Sequence, residues 1–288
     1  MAYIHKFYSS HPLKTIIIHN KNWEYIVCGR GIGTLLLFPG GGQTAQSNFQ
    51  LIDAFKNKYK VISPTIYDVD SIDEFCYAIN KILEKENSSK VIIYGLSIGG
   101  MMAQSYVRRN KDNVIKLIIS HAPAPKSKTY KEKIIRPITF LNTILPFIPN
   151  YFIQFMSKRF AGWFQGVSRK DHLRLKPEIN KVTEELQTYF IGEFYKKYFN
   201  KKLLKTWIKL HLNFYNNENF LPDDLSDWKG EILILRTDND PLAQDDGEFK
   251  RLYPKAHVYT FHNTGHLTFY YQFENMVEVM RKFLGDIH

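Results

Sequence analysis

The sequence KVIIYGLSIGGMMAQSYVRR, residues 90–109, is the most informative segment of the chain for its fold. It opens with the apolar run Val91–Tyr94, which has the length and β-branched content of a strand buried on both faces of a sheet. The turn GLSIG follows at once, and the residues after it place apolar side chains at helical spacing. A strand, a tight turn and a helix in immediate succession predict one βα unit of a parallel sheet.

Further βα units are predicted on both sides of this stretch. Four segments with helical spacing are Ser47–Lys58, Ser71–Lys85, Gly99–Asn110 and Thr268–Phe283, and Ser71 with Glu74 forms a capping-box signature. Besides Lys90–Tyr94, the short β-branched runs are Thr15–His19, Trp23–Cys28, Thr34–Phe38, Lys60–Ser63, Val114–Ser120, Glu231–Arg236 and His257–Phe261. The alternation predicts an α/β fold with a doubly wound, mostly parallel sheet.

The alternation stops after the sixth strand. Residues 122–227 show helices and loops without a clear strand, and Glu178–Phe199 and Lys201–Asn213 are predicted as two amphipathic helices. We therefore divide the chain into a core, residues 1–121 and 228–288, and a helical insertion, residues 122–227. Insertions longer than ordinary loops are usually functional.

Composition fits a soluble globular chain. Of 288 residues, 44% are hydrophobic and 23% are charged, and a chain of this length builds a core without disulfides or metals. Cys28 and Cys76 form no CxxC pair and are expected to be reduced thiols. The N-terminal residues lack the apolar segment of a secretory signal, and no apolar run is long enough to cross a membrane, so we expect a cytoplasmic protein without an integral membrane segment.

The formal net charge of +11 is concentrated in the insertion. Between Lys126 and Asp227 there are 18 basic and 10 acidic residues, which leaves only +3 for the rest of the chain. Solvated lysines on helices explain this better than a nucleic-acid partner, while an anionic substrate or surface is the alternative. No HExxH or paired metal-ligand motif is present, so neither a metal nor a cofactor is expected.

The turn at 95–99 has the pattern G-x-S-x-G in a strand–turn–helix setting. In this setting, called the nucleophile elbow, a strained turn lifts the serine hydroxyl clear of the sheet. Close backbone approach predicts that Gly95 and Gly99 need to be glycine. The bare pattern also arises by chance, with Ser97 as an ordinary small turn residue, but the flanking strand and helix favour Ser97 as a nucleophile.

With this turn in place, the chain resembles the α/β-hydrolase family over residues 15–121 and 228–288. In that family a loop after an early strand supplies backbone N–H groups to an oxyanion hole. Here LLLF is followed by PGGG, with Pro39 where the family usually has histidine. The resemblance implies Gly41 N–H as one donor, with Gly42 next, and Ile98 N–H as the second.

The resemblance also implies the acid and the base of a catalytic triad. The family acid follows the next-to-last strand, and the sequence TDNDPL at 237–242 fits with Asp240 as the acid; Asp238, Asp245 and Asp246 are the competitors. The base is expected at His266, in an Asn-Thr-Gly-His setting after the last strand, with His262 as competitor. Serine, aspartate and histidine then occur in the chain order of this family.

The insertion corresponds in position to the cap that many family members carry over the nucleophile. It is rich in aromatic residues, most of which must pack internally, while a subset is expected to line an apolar acyl pocket. The expected function is a serine hydrolase that cleaves an ester or thioester of an apolar acyl substrate, a small molecule, through an acyl-enzyme intermediate. The alternatives are a C–C bond hydrolase or acyltransferase with the same triad, or a non-catalytic binding protein; the oligomeric state is left open.

Overall fold

The computed structural model describes residues 2–31, 33–153, 155, 185, 189, 199–241 and 247–286. All eight predicted strands are present, with ends that differ from the prediction by at most two residues. They are β1 (Lys14–Ile18), β2 (Lys21–Cys28), β3 (Gly33–Phe38), β4 (Tyr59–Pro64), β5 (Val91–Leu96), β6 (Val114–Ser120), β7 (Glu231–Thr237) and β8 (His257–Phe261).

The strands form one sheet in the order β1-β2-β4-β3-β5-β6-β7-β8. Strand β2 is antiparallel to both of its neighbours, and every pair from β4 to β8 is parallel. The mostly parallel α/β sheet predicted from the sequence is therefore confirmed. Because the strands from β4 to β8 run in one direction, their carboxyl ends meet at one edge of the sheet, where chemistry-bearing residues in such folds collect.

Helices cover both faces of this sheet. In chain order they are α1 (Ala2–Ser10), α2 (Phe49–Phe55), α3 (Ile72–Lys85), α4 (Ile98–Arg109), the single turn α5 (Lys128–Tyr130), α6 (Arg136–Ile144), α7 (Lys201–Asn217), α8 (Glu248–Leu252), α9 (Thr268–Tyr271) and α10 (Phe273–Leu284). Helices α3 and α4 bury their apolar sides in a cluster on one face, and α1, α2 and α10 do so on the other. Ser71 caps α3 by accepting a hydrogen bond from Glu74 N–H at 3.1 Å, as its sequence signature predicts.

Several helical segments differ from the prediction: α8 is an additional short helix, and α2 is shorter than the predicted Ser47–Lys58. Helix α1 was not predicted, and it is held by tertiary contact, because Phe7 is 3% exposed and packs on Phe49 with ring centroids 5.7 Å apart. The last helix, predicted as continuous, is divided at Gln272, whose φ of −133° and ψ of 48° leave the helical region.

The described parts of residues 122–227 contain helices and short turns, with no strand among them. Helix α6 and the turn after it pack against α7 through an apolar cluster that includes Leu145, Leu203 and Ile208. The predicted helix Lys201–Asn213 is present and extends to Asn217, whereas the prediction for Glu178–Phe199 lies almost entirely outside the described residues. Within the part of the chain that the structure describes, no helix is long and apolar enough to cross a membrane.

Candidate active site

Ser97 occupies a strained turn between β5 and α4. Its φ of 52° and ψ of −116° are unusual for a residue with a side chain. Such strain persists only where the surroundings impose it, and it collects at functional sites. Here Ser97 N–H donates to Ser120 O at 2.9 Å, which ties the turn to the end of the neighbouring strand β6. The half-buried serine therefore lies at the carboxyl edge of the sheet.

The glycines around Ser97 are required by close backbone packing. A Cβ atom on Gly95 would lie 2.3 Å from Gly99 O, and one on Gly99 would lie 2.3 Å from Phe38 O. Backbone atoms cannot move aside as a flexible side chain can. The predicted need for glycine at both positions is confirmed, and its cause is the tight contact of the β5–α4 turn with itself and with the end of β3.

The glycine loop after β3 lies beside the start of α4. Gly40 N–H donates to Gln43 Oε1 at 2.8 Å, so the loop itself uses that N–H group. A Cβ atom on Gly41 would lie 2.8 Å from Ile98 Cδ1 and 3.6 Å from Trp207 Cε2. The structure thus brings Gly41 next to Ile98, and Gly42, with φ 76°, completes the turn.

Asp240 and His266 form a buried hydrogen-bonded pair. They follow the adjacent parallel strands β7 and β8, whose register pairs Thr237 with Phe261. His266 Nδ1 lies 2.8 Å from Asp240 Oδ2 and 3.0 Å from Oδ1, and the two residues are 8% and 2% exposed. A carboxylate only accepts hydrogen bonds, so Nδ1 carries the proton and donates it, and Nε2 is left as the acceptor of the neutral ring.

The competing pair, Asp238 and His262, also forms a hydrogen bond, but at the surface. His262 Nδ1 lies 2.8 Å from Asp238 Oδ2, and the two side chains are 73% and 41% exposed. Partial burial acts to raise the pKa of Asp238, but the hydrogen bonds from Asn263 N–H and His262 outweigh it and lower that pKa. This pair links the first residue after β7 to the first residue after β8. The other two competitors, Asp245 and Asp246, lie outside the described residues.

A second buried histidine, which the sequence analysis did not single out, lies beside this pair. His121 is the first residue after β6, is 2% exposed and has a φ of 49°. Its ring meets the ring of His266 edge to face, with centroids 6.0 Å apart. Its Nδ1 lies 2.9 Å from Ser120 Oγ and its Nε2 lies 2.8 Å from Thr268 Oγ1.

From His121 a chain of hydroxyl groups leads to the loop that carries Asp240. Thr268 Oγ1 lies 2.6 Å from Thr264 Oγ1, and Thr264 donates to Thr237 Oγ1 at 3.1 Å. Thr237 in turn donates to Phe261 O at 3.1 Å. Each hydroxyl has one proton to give, so the chain runs in one direction and begins with His121 Nε2–H as donor. It braces both loops of the Asp240–His266 pair.

Burial lowers the pKa of His121 to about 4; the charge of Asp240 opposes this shift and that of His266 adds to it. His121 is therefore neutral near pH 7 and places no positive charge beside His266. The available signal in the sequence was position: His121 directly follows a strand whose carboxyl end lies at the site edge, as Ser97 does.

Helix α7 supplies an apolar wall next to the glycine loop. Trp207, which lies 3.6 Å from the Cβ position of Gly41, packs edge to face on Phe199 with centroids 5.8 Å apart. Both rings belong to the apolar cluster shared by α6 and α7. Of the aromatic residues predicted in the insertion, Trp207 is one that the structure places beside the predicted oxyanion loop.

Comparison with known proteins agrees with this geometry. A family model described as "alpha/beta hydrolase fold" matches residues 33–273. The chain therefore belongs to this family. Comparison with curated proteins gave no match.

Solved structures share the fold at low sequence identity. The α/β-hydrolase enzyme MGS-M2 from a Medee basin deep-sea metagenome library has a TM-score of 0.74 and 14% identity, covering 96% of this chain and 98% of that one. A bromoperoxidase from Bacillus anthracis has a TM-score of 0.72 and 17% identity, covering 95% and 100%. A thermophilic esterase from Thermogutta terrifontis has a TM-score of 0.66 and 17% identity, covering 96% and 99%.

Proposed function

We propose that this protein is a serine hydrolase that cleaves an ester or thioester of an apolar acyl substrate through an acyl-enzyme intermediate. The buried hydrogen bond between Asp240 and His266 carries the proposal, because both residues follow parallel strands on the edge where the strained Ser97 turn lies. A histidine without a catalytic role would not require a buried carboxylate beside it, and Asp240 is only 2% exposed. The triad assigned here is Ser97 as nucleophile, His266 as base and Asp240 as the residue that orients the base.

In the proposed reaction His266 Nε2 takes the proton of the Ser97 hydroxyl as the serine oxygen attacks the acyl carbonyl carbon. Asp240 holds the proton on Nδ1 and stabilises the imidazolium that forms. His266 then gives its proton to the departing alcohol or thiol, and the acyl group stays on Ser97. A water molecule, deprotonated by the same imidazole, attacks this ester; the bond to Ser97 Oγ breaks, the imidazolium returns its proton to that oxygen, and the acid is released.

The oxyanion of each tetrahedral intermediate is assigned to the N–H groups of Gly41 and Ile98, with Gly42 as the neighbouring donor. Contact between Gly41 and the Ile98 side chain supports this assignment, because it holds the glycine loop against the first residue of α4. Ile98 N–H lies at a helix N-terminus, where negative charge is stabilised. Each preorganised donor of this kind contributes about 2.7–4 kcal/mol to transition-state stabilisation.

A fluorophosphonate probe and a panel of p-nitrophenyl esters and acyl thioesters of graded chain length test the proposal. The probe should label the wild-type protein and leave Ser97→Ala unlabelled, and Asp240→Asn should lower kcat by about 10⁴-fold, as expected when the tautomer is lost. The surface pair offers a matched control, since Asp238→Asn and His262→Asn should keep activity within about twofold. Equal losses in Asp238→Asn and Asp240→Asn would refute the assignment, and a folded wild-type protein that the probe does not label would refute the nucleophile. Product analysis on a C–C substrate separates the alternative chemistry.

A further inference from the structure

Large apolar side chains are exposed in one short segment of the insertion. Among the described residues, twelve large apolar side chains are exposed, and six of them lie within residues 140–155. We call these six the aromatic face: Phe140 (68% exposed), Ile144 (36%), Phe147 (85%), Tyr151 (74%), Phe152 (46%) and Phe155 (65%). A concentration of this kind marks a surface that binds something, whereas scattered single residues do not.

The aromatic face is distinct from the side of the segment that packs internally. Leu145 is 1% exposed and Ile153 is 4% exposed, and both join the apolar cluster with α7. The segment thus already has its core contacts, and the exposed rings are additional to them. A segment that is apolar on two sides is expected to bury the second side against a partner or a lipid phase.

Basic residues adjoin the aromatic face. Lys131, Lys133 and Arg136 are exposed directly before it, and residues 126–155 contain five basic residues and one acidic residue. Lys201 is brought to the same place, since its Nζ donates to Pro146 O at 3.1 Å. Lysine is depleted in protein–protein interfaces, whereas aromatic residues flanked by lysine and arginine suit the boundary of an anionic bilayer.

We propose that the aromatic face docks on an anionic lipid surface, with its rings at the headgroup level and Lys131, Lys133 and Arg136 on lipid phosphates. Lipid docking at this face requires neither the triad nor the substrate. The opposite side of the segment packs on α7, which carries Trp207 to Gly41, so a lipid-bound insertion would be joined directly to the candidate site.

Co-sedimentation of the full chain with vesicles tests this inference. The probes are vesicles of phosphatidylcholine alone and of phosphatidylcholine mixed with phosphatidylglycerol. We expect binding to the mixed vesicles that weakens with salt. The triple variant Lys131→Gln/Lys133→Gln/Arg136→Gln should lower the partition coefficient about a hundredfold, because each basic residue near an anionic surface contributes about fivefold. The double variant Phe147→Ser/Tyr151→Ser should lower it by at least about tenfold.

The control variant is Ile17→Ser/Tyr77→Ser, which removes two side chains that are 76% and 44% exposed on β1 and α3. It should bind vesicles as the wild type does, and so should Ser97→Ala, which makes the result independent of the proposed function. Equal binding by Phe147→Ser/Tyr151→Ser and the wild type would overturn the inference. The inference would also be overturned if the wild type formed a dimer without binding vesicles and Phe147→Ser/Tyr151→Ser abolished that dimer. The aromatic face would then bind a second copy of the chain.

Discussion

Acid should destabilise this protein well above the pH at which carboxylates titrate, because His121 is buried without charge. Its folded pKa is about 4, against an ordinary value of 6.5, and the cause is burial. Burial also lowers the pKa of His211 to about 4; this residue hydrogen-bonds Tyr130 Oη at 2.7 Å. The unfolded chain protonates both imidazoles near pH 6.5, while the folded chain resists protonation until about pH 4.

The sign follows from proton counting. Between pH 6.5 and 4 the unfolded state binds more protons, so the free energy of unfolding falls as the pH falls. For His121 alone the two pKa values give a loss of about 2 kcal/mol between about pH 7.5 and about pH 5. His211 is only half-buried, so its contribution to the loss of stability is at most similar to that of His121. Against a total stability of about 5–15 kcal/mol, this loss is easily measured.

Guanidinium unfolding at a series of pH values measures this loss. The variant His121→Gln should remove about 2 kcal/mol of the pH-dependent loss, whatever its stability at neutral pH. His262→Gln is the matched control for the loss of an imidazole, because that histidine's side chain is 73% exposed, and the effect of His121→Gln is measured against it. A wild-type protein whose unfolding free energy stays constant from pH 7.5 to 5, or a His121→Gln variant with the wild-type slope, would refute the reasoning.

Three further perturbations have defined outcomes. Gly99→Ala should destabilise by more than about 3 kcal/mol in thermal unfolding, whereas Gly33→Ala, whose Cβ would meet nothing closer than 3.4 Å, should stay within about 1 kcal/mol. Thr268→Val leaves the buried His121 Nε2–H without its acceptor and should cost about 1–3 kcal/mol of stability, with Thr268→Ser restoring it. Trp207→Ala should reduce kcat/KM for long-chain esters about tenfold more than for short-chain esters; an equal reduction for both would remove Trp207 from the acyl pocket.

The strands were predictable because their physical cause is local. Runs such as Leu35–Phe38 and Val91–Tyr94 are apolar at every position, and the structure buries every one of these residues. A strand covered by helices on both faces has no polar side, so its apolar sequence indicates a central position in the sheet. The sequence of helix α1 contains no comparable pattern, because α1 is stabilised by Phe7 packing on Phe49, a contact between distant segments that local periodicity does not predict.

Parts of the candidate site were predictable for a different reason. Gly95 and Gly99 mark close backbone approach, and the order of serine, aspartate and histidine along the chain follows from the order of the strands. His121 carries only the weaker signal of its position directly after β6. Its partner Thr268 is 147 residues away along the chain, and only the register of β6, β7 and β8 brings them within 2.8 Å. Hydrogen-bond networks of this kind depend on tertiary position, which the sequence does not display.

The insertion shows where sequence patterns stop being informative. Leu145 and Phe147 are both apolar and only two residues apart, yet they are 1% and 85% exposed. When apolar residues lie on all sides of a segment, helical periodicity does not indicate which side is buried. Packing against α7 determines the buried side: Leu145 lies in the apolar cluster with α7, and Phe147 lies outside it. The division of the insertion into an inner wall near Trp207 and an outer aromatic face is therefore a property of packing, and it is this division that leaves the aromatic face available to a lipid surface.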